Sequence, residues 1–251
     1  MRIYVCEDSF EGIMTGVYDA WDSRLGHGEV CLRLEEEYNL ELFAEYEMVL
    51  PDEEKVRKVV RTLRQRISET VFEYVYKAAM SQEKEKADWI YRFIVLAVRN
   101  GAAVVHQLGN AAVMNVFSMV RNVSNEAHLL LGFIRFRELQ SGVLFARITP
   151  KNQVLTIIAP HFEDRLSGEN WVIYDAAHQM AAIHARNSRW VLSKEIQIEE
   201  KIAASDKQED YEELWKLFFH TIGIEARRNP ECQRNMLPIW YRKNMLEFDT
   251  E

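Results

Sequence analysis

The chain has 251 residues, of which 48% are hydrophobic, so it can bury one sizeable core, and no window approaches the roughly 18 apolar residues of a membrane span. Its three cysteines are odd in number and far apart, which argues against a disulfide framework or a thiolate metal site, and we expect a soluble cytoplasmic protein. The net charge of −8 arises in residues 1–50, where twelve Asp or Glu stand against three Lys or Arg, so any contact with a polyanion must be local.

The first part of the sequence alternates between strand and helix patterns. The segment RIYVCE predicts a strand, and the helix after it has Asp8 and Glu11 at the spacing of a capping box. EVCLRLEEE predicts a second strand, and an acidic connector ending at Pro51 leads into the amphipathic helix DEEKVRKVVRTLRQRIS. The many basic residues of that helix form either a solvated face neutralised by nearby glutamates or a surface that follows phosphates.

Three further helices precede the point where the spacing of apolar residues changes from a helical period to the alternation of strands. Helices are predicted over residues 70–80, over the apolar segment ADWIYRFIVLAVRNG and over residues 111–131. Five strand patterns follow, FIRFREL, VLFARI, WVIYD, MAAIHA and RWVLS, with the helical insert NQVLTIIAPHFEDRLSG after the second. We therefore predict an α+β fold with an antiparallel-rich β-β-α-β-β sheet packed with several helices. We expect a single domain over 1–251, helix-rich in 1–131, with the sheet in 132–195 and C-terminal helices in 206–248.

The loop between the first two of these five strands decides which side chains share a face of the sheet. A loop of two residues, Ser141-Gly142, mixes polar and apolar side chains on both faces. A loop of three, which adds Gln140, puts Gly142 at the left-handed position such loops require and leaves one face apolar. The pattern therefore favours the longer loop.

With that loop, three arginines share the other face. Arg135 lies opposite Arg147 and Arg137 opposite Phe145, with Phe133 on the same side. Arginine beside aromatic rings on an open sheet is typical of surfaces that bind single-stranded nucleic acid, because guanidinium groups pair with phosphates and bases stack on rings. The alternative is an internal layer of salt bridges between these arginines and the acidic N-terminal region.

Two histidines are candidates for acid–base chemistry. His128 lies near the end of the long helix, where it acts either as a general base or phosphate contact, or as a structural charge at the helix C-terminus. His161 lies in APHFEDR, but no matching ligands can be placed around it, so we predict neither a metal site nor a cofactor. Asp175 ends WVIYD and is either a catalytic carboxylate or a turn residue. No GxSxG, HExxH or CxxC motif occurs, so the sequence leaves open whether the chain is an enzyme.

The C-terminal tail is a second basic region that also contains aromatic residues. Trp240 and Tyr241 offer surfaces on which bases could stack. The tail either binds nucleic acid or docks on the core through its apolar residues. The residues that we assign to nucleic-acid binding here are Arg227, Arg228, Asn229 and Arg234.

The segments YVCEDSFEGIM, EAHLLLGFIRFREL, LTIIAPHFEDRL and RRNPECQRNMLPIWYRKN, in this order, resemble the bacterial "probable DNA metabolism protein" family. This domain of unknown function is encoded beside a radical-SAM protein or fused ahead of a uracil-DNA-glycosylase-like domain. In place of DAAHQM the family usually has a more basic turn. The resemblance covers nearly the whole chain and implies a place in DNA repair or modification. The residues that carry over are His128, Gly132, Arg135, Arg137, Glu138, Pro160, His161, Asp175, Arg227, Arg228, Asn229 and Pro230.

Three hypotheses follow for the function. The chain is a DNA-binding accessory or substrate-presenting subunit that acts with the radical-SAM partner. Alternatively, it is an enzyme acting on DNA or nucleotide, with His128 or His161 as the acid–base group. The third hypothesis is an interaction module without nucleic-acid contact, which docks the radical-SAM protein through Glu35, Glu36 and Glu37. Any iron–sulfur chemistry would belong to that partner, because the chain has no CxxxCxxC motif.

Overall fold

The computed structural model describes residues 1–35, 42–139, 141–194, 230–245 and 248. The chain divides into two compact units, Met1–Asn125 and Glu126–Glu251. The single domain expected over residues 1–251 stays a prediction, because a compact unit is not by itself a unit that folds alone. Of the predicted C-terminal helices, the part over residues 206–229 lies outside the described residues.

The first unit combines a small sheet with helices. Its strands are β1 (Arg2–Cys6), β2 (Val30–Leu34) and β3 (Glu45–Val49). Its helices are α1 (Phe10–Asp22), α2 (Glu53–Thr62), a π-helical turn (Leu63–Ile67), α3 (Glu69–Ala79), α4 (Lys86–Asn100) and a 3₁₀ helix (Gly101–His106). Helix α5 (Ala111–Phe133) contains the boundary between the units.

All strands of the first sheet are parallel, in the order β2-β1-β3. Helix α1 connects β1 to β2 as a crossover, and a connection of that kind makes the two strands parallel. The helix lies very close to β1: a Cβ atom added at Gly16 would stand 2.3 Å from the Cys6 sulfur. Strand β3 lies within the segment that the sequence presents as an acidic connector.

Helix α1 begins at a different cap from the predicted one. Ser9 is the N-cap, and its Oγ accepts a hydrogen bond from the Gly12 N–H at 3.0 Å. Asp8, predicted as the cap, instead lies 2.6 Å from the Lys86 ammonium group. The predicted capping box of Asp8 and Glu11 is therefore wrong, because Asp8 is engaged in an ion pair with a buried lysine.

The second unit contains a five-stranded sheet, in the order β4-β5-β6-β7-β8. Strands β5 and β6 are parallel and are connected by helix α6, and the other neighbours are antiparallel. The bounds are β4 (Arg137–Glu138), β5 (Leu144–Ile148), α6 (Leu155–Arg165), β6 (Trp171–Asp175), β7 (Met180–His184), β8 (Val191–Lys194), α7 (Pro230–Met236) and α8 (Ile239–Arg242).

The α+β class is confirmed, but the predicted antiparallel-rich β-β-α-β-β sheet is wrong. The described strands form two sheets, of which the first is entirely parallel and the second contains a parallel pair. The crossover helices α1 and α6 are the physical reason, since each returns the chain to the start of the sheet before the next strand.

Among the described residues, no single helix is both long and apolar enough to cross a membrane. The consecutive segments Lys86–His106 and Ala111–Phe133 meet these criteria only as a pair, and a bend of 58° separates them.

Candidate nucleic-acid interface

The hairpin between β4 and β5 has the predicted register. The Leu139 N–H donates to the Val143 carbonyl at 2.9 Å, and the Gly142 N–H donates to the Leu139 carbonyl at 2.8 Å. Gly142 has φ of 76°, the left-handed conformation that a three-residue loop requires. Arg137 pairs with Phe145 across the strands. The three-residue loop and the position of Arg137 opposite Phe145 are thus confirmed.

Paired positions in neighbouring strands place their side chains on the same face of a sheet. Arg137 pairs with Phe145, Phe145 with Val172, and Arg147 with Tyr174. We call the face that carries these five side chains the arginine face. Arg147 is exposed there, Arg137 and Phe145 are half-buried, and Tyr174 is buried. The arginine face therefore combines cationic groups, a half-buried aromatic ring and apolar surface side by side.

The opposite face of the sheet is the core of the second unit. Ala146, Ile148, Trp171 and Ile173 are all buried there. Helix α6 packs on β6 and β7 on this side, where Phe162 meets the ring of Phe136 edge to face at 5.3 Å. Because α6 covers this face, the arginine face is directed away from that helix.

Arg135 does not join the sheet. Helix α5 continues through Phe133, and the described strand begins only at Arg137, so the predicted pairing of Arg135 with Arg147 is wrong. The Arg135 Nη1 donates instead to the carbonyls of Gly132 at 2.8 Å and Ile134 at 3.2 Å. A guanidinium group at the end of a helix satisfies carbonyls that have no partner within the helix, which keeps Arg135 at the end of α5.

Trp240 forms a platform at the carboxyl end of β5. Its Nε1–H donates to the Thr149 carbonyl at 2.8 Å, which fixes the indole, yet 45% of the residue stays exposed. The ammonium groups of Lys243 and Lys151 lie 3.9 and 5.7 Å from the ring centroid. A half-exposed indole with two ammonium groups near its ring can stack a base and attract its phosphate. We call Trp240, Lys151 and Lys243 the tryptophan platform.

A buried carboxylate anchors the tryptophan platform. Glu126 accepts hydrogen bonds from the Lys151 N–H at 2.9 Å, the Asn152 N–H at 2.8 Å and the Asn152 side-chain amide at 2.6 Å. Tyr241, beside Trp240, donates its hydroxyl to Glu126 at 3.2 Å. Burial, followed by the negative charge of Glu126, raises the pKa of the Tyr241 phenol far above its usual range, so the phenol remains a donor. Both sides of the platform therefore attach to one carboxylate.

The two predicted catalytic histidines are placed on the surface. His128 and His161 are both exposed, and the imidazole of neither makes a hydrogen bond or ion pair with the described part of the chain. The His161 ring meets the Phe162 ring edge to face, at 5.3 Å between centroids. Among the described residues, neither histidine has the carboxylate or carbonyl partner that would fix its tautomer for acid–base work.

A third histidine has such a partner. The Nδ1 atom of His178 lies 2.6 Å from the Oδ2 atom of Asp175, at the carboxyl end of β6. The buried Asp175 also accepts from the backbone N–H groups of Ala177 and His178, at 2.9 and 3.2 Å. With Nδ1 donating to the carboxylate, Nε2 is left as the proton acceptor, as in an Asp–His pair of a general base. An Asp at a strand end followed three residues later by His was the available sequence signal.

Only some of the remaining predicted site residues lie in the described part of the chain. Arg234 is exposed on α7. Arg227, Arg228 and Asn229 lie outside the described residues, as do Glu36 and Glu37 of the predicted docking surface. Within the described ranges, no cluster of three or more His, Cys, Asp or Glu side chains could hold a metal ion.

The second unit is thus an α+β module with one helix-covered sheet face and one face that combines arginine with aromatic groups. The chain belongs to the domain of unknown function DUF4130, whose model matches residues 84–247, more than half of the chain. The resemblance to a domain of unknown function is thereby confirmed. A comparison with curated proteins finds no match.

Proposed function

We propose that this chain is a cytoplasmic nucleic-acid-binding protein of DNA repair or modification, an accessory or substrate-presenting subunit that acts with a radical-SAM protein. The genetic context comes from the family resemblance, which includes association with uracil-DNA-glycosylase-like domains. The observation that carries the binding function is the register of β4 and β5, which puts Arg137, Phe145 and Arg147 on the face away from α6.

The physical argument rests on the alternation along β5. Phe145 and Arg147 share a face, and Thr149, two residues further, holds the indole of Trp240 through its carbonyl. Ring, cation and ring therefore follow one another along β5 and past its carboxyl end. Single-stranded DNA offers a matching alternation of bases, which stack on rings, and phosphates, which pair with cations.

Binding to a labelled single-stranded oligonucleotide, followed by fluorescence anisotropy, tests this proposal. The wild-type affinity should fall linearly on a log–log plot against salt concentration. Arg137→Glu with Arg147→Glu should weaken binding by more than about tenfold at low salt, and Trp240→Ala by about tenfold through lost stacking. Arg165→Glu is the matched control, because Arg165 is an exposed arginine on α6, which covers the opposite face.

Charge reversal that leaves the affinity unchanged, in a variant with a wild-type melting temperature, would show that the arginine face does not bind DNA. An equal loss in the Arg165→Glu control would mean that net charge alone determines binding. Co-purification of the chain with the radical-SAM protein tests the partnership separately.

A second candidate function is that of an enzyme acting on DNA or nucleotide, and the Asp175–His178 pair favours it. The half-buried imidazole is oriented by a buried carboxylate, so its Nε2 atom can take a proton from a hydroxyl group or a water molecule. This reading assigns the acid–base function to His178 rather than to His128 or His161.

Turnover of DNA oligonucleotides and nucleotides by the full chain tests the enzyme hypothesis. His178→Ala should lower the rate by a factor of about 10² to 10⁴, while His128→Ala and His161→Ala keep it. Retention of full turnover by His178→Ala would exclude this assignment. Loss of turnover in His161→Ala alone would restore the assignment made from the sequence.

A further inference from the structure

A cavity of about 560 Å³ opens in the first unit between α1, α2 with its π-helical turn, and α4. That volume is typical of sites for small organic ligands. The cavity lies among residues 17–98, so nearly all of its lining precedes residue 84, where the DUF4130 match begins. It also shares no residue with the arginine face or the tryptophan platform.

The floor of the cavity is apolar. Val17 of α1, Leu63 of the π-helical turn and Ile94 of α4 are buried side chains that line it, together with the partly buried Val59 and Ile67. Such a surface favours an apolar or planar group over a hydrated ion, because water against it makes no hydrogen bonds with the wall.

Two aromatic rings stand on one wall. Tyr18 and Trp21 both project from α1 into the lining, and Trp21 remains 39% exposed. The ammonium groups of Lys55 and Lys58 lie 5.8 and 5.5 Å from the Tyr18 centroid. The wall therefore presents aromatic rings for a planar ligand beside two ammonium groups, of which that of Lys55 is paired with Asp19 at 2.6 Å.

Cations outnumber anions around the cavity. Arg24, Lys58 and Arg66 line it against a single carboxylate, Asp22. Lys58 pairs with Glu54 at 3.1 Å, but both side chains are largely exposed and such a pair is weak. The guanidinium groups of Arg24 and Arg66 make no hydrogen bond or ion pair with the residues that the structure describes, although the Arg24 backbone N–H donates to the Trp21 carbonyl at 3.4 Å. Two guanidinium groups are thus available to a ligand.

The backbone is irregular at both arginines. Arg66 lies in the π-helical turn Leu63–Ile67, where the Ser68 N–H bonds back to the Leu63 carbonyl at 2.9 Å. Arg24 has φ of 55°, a conformation that a side chain other than glycine rarely adopts. Turns of the π type occur frequently at functional sites. Both irregular backbone positions therefore belong to residues whose side chains line the cavity.

We propose that this cavity binds a small planar organic anion of the nucleoside monophosphate class. The base lies against Tyr18, Trp21 and the apolar floor, and the phosphate pairs with Arg66, Lys58 and Arg24. Charge complementarity and the apolar floor together select this class. An inorganic anion has no apolar group to pack on the floor, and an uncharged nucleoside has no phosphate to pair with the cations. The site goes beyond the proposed function, because it needs neither the arginine face nor DNA.

Isothermal titration calorimetry of the full chain at low salt tests the site with three probes: adenosine 5′-monophosphate, adenosine and inorganic phosphate. The monophosphate should bind at least about tenfold more tightly than either of the others, and added salt should weaken it. Arg66→Ala and Trp21→Leu should each weaken it about tenfold. Arg61→Ala is the control, an exposed arginine of α2 outside the lining, and should bind like the wild type.

Equal affinity for adenosine would overturn the role of the cations, and equal affinity for inorganic phosphate would overturn the role of the rings. Absence of heat with all three probes at millimolar concentration would overturn the site itself. A loss of affinity in Arg61→Ala equal to that in Arg66→Ala would reduce the effect to overall charge. Each variant's melting temperature shows that it is folded, and DNA binding by Arg66→Ala should equal that of the wild type, which keeps this proposal separate from the proposed function.

Discussion

Lys86 in the first unit and Glu126 in the second are both buried charged side chains, and their partners differ in kind. Lys86, only 1% exposed, is held by one carboxylate, that of Asp8, and by the Ser81 carbonyl, each at 2.6 Å. Glu126 is held by neutral donors alone among its described hydrogen bonds, two backbone N–H groups, an amide and a phenol.

The difference shows two ways of keeping a charge inside a protein. The cation of the first unit depends on a single charged partner, so losing Asp8 leaves it uncompensated. The anion of the second unit spreads its stabilisation over several donors, so no one donor is decisive, but losing the anion leaves all of them without an acceptor. In the first unit, removing the partner Asp8 should therefore cost more stability than removing the buried charge. In the second unit, removing the buried charge should cost more than removing any one partner.

The largest effect is expected for Glu126→Ala. The change leaves the buried Asn152 amide and backbone N–H, and the Lys151 N–H, without their acceptor, and should lower the free energy of unfolding by about 4 kcal/mol. Urea denaturation measures it. Glu126→Gln keeps one acceptor oxygen and should lose less. If the two variants were equally stable, the donors would not depend on the acceptor.

The next largest effect is expected for Asp8→Ala, at about 3 kcal/mol, because Lys86 is then buried with one carbonyl as its described partner. Lys86→Met should cost less, since Asp8 is 50% exposed in its side chain and water can solvate it. Urea denaturation of the two variants gives the order. A larger loss in Lys86→Met would show that the stem of the lysine, and not the charge pair, stabilises this part of the unit.

Neither buried charge could be identified from the sequence. Asp8 stands at a helix start with Glu11 three residues later, which is the local signature of a cap, and its true partner is 78 positions away in the chain. Strand β3 was hidden for a related reason: Glu45 and Glu47 in its exposed positions give it the composition of a connector. The parallel pairing of β1 with β2 and β3 depends on crossover geometry and not on any residue pattern.

Local patterns, in contrast, predicted much of the second unit. Alternating apolar residues identified the segments of β5 to β8, and Gly142 fixed the loop length, so Arg137 was correctly placed opposite Phe145. Arg135 was misplaced because helix α5 continues to Phe133, two residues beyond the predicted end at residue 131. His178 was missed because its suitability as an acid–base group depends on its hydrogen bond to Asp175, and the composition of the segment does not reveal that bond.

A third contrast concerns packing between helix and sheet. Gly16→Ala would bring a methyl group against the Cys6 sulfur and should cost about 2 kcal/mol. The matched change in α5 of the second unit, Gly132→Ala, meets no atom within 4 Å and should stabilise by up to about 1 kcal/mol through helix propensity. Thermal unfolding compares them. Cys6→Ala should partly rescue Gly16→Ala, and additivity of those two changes would contradict the close contact.

A smaller effect is expected for Tyr241→Phe, about 1 kcal/mol, since one of the donors to Glu126 is lost while the others remain. Urea denaturation should show a loss well below that of Glu126→Ala. A loss as large as that of Glu126→Ala would mean that the phenol, rather than the whole set of donors, holds the carboxylate.

The smallest effect is a pH dependence in the first unit. Burial, followed by the nearby charge of Arg99, lowers the pKa of His27, whose Nδ1 lies 2.8 Å from the Tyr91 hydroxyl. Because the folded protein binds this proton less readily than the unfolded chain, the contribution of His27 is complete above about pH 6.5 and is lost as the pH falls through the folded value. Unfolding at pH 7.5 and at pH 5 should show a smaller decrease in His27→Gln than in wild type. An identical decrease would mean that His27 does not contribute.

The left-handed Gly142 loop makes the length of this hairpin more important than its composition. Substitutions at Ser141 leave the pairing of β4 and β5 intact, because the side chain there is exposed and the backbone turn is set by Gly142. A single inserted or deleted residue would instead exchange the roles of Arg137 and Glu138, sending a guanidinium group toward the core and a carboxylate outward. Among natural relatives, the residue at position 141 should therefore vary while the number of residues in the loop stays fixed.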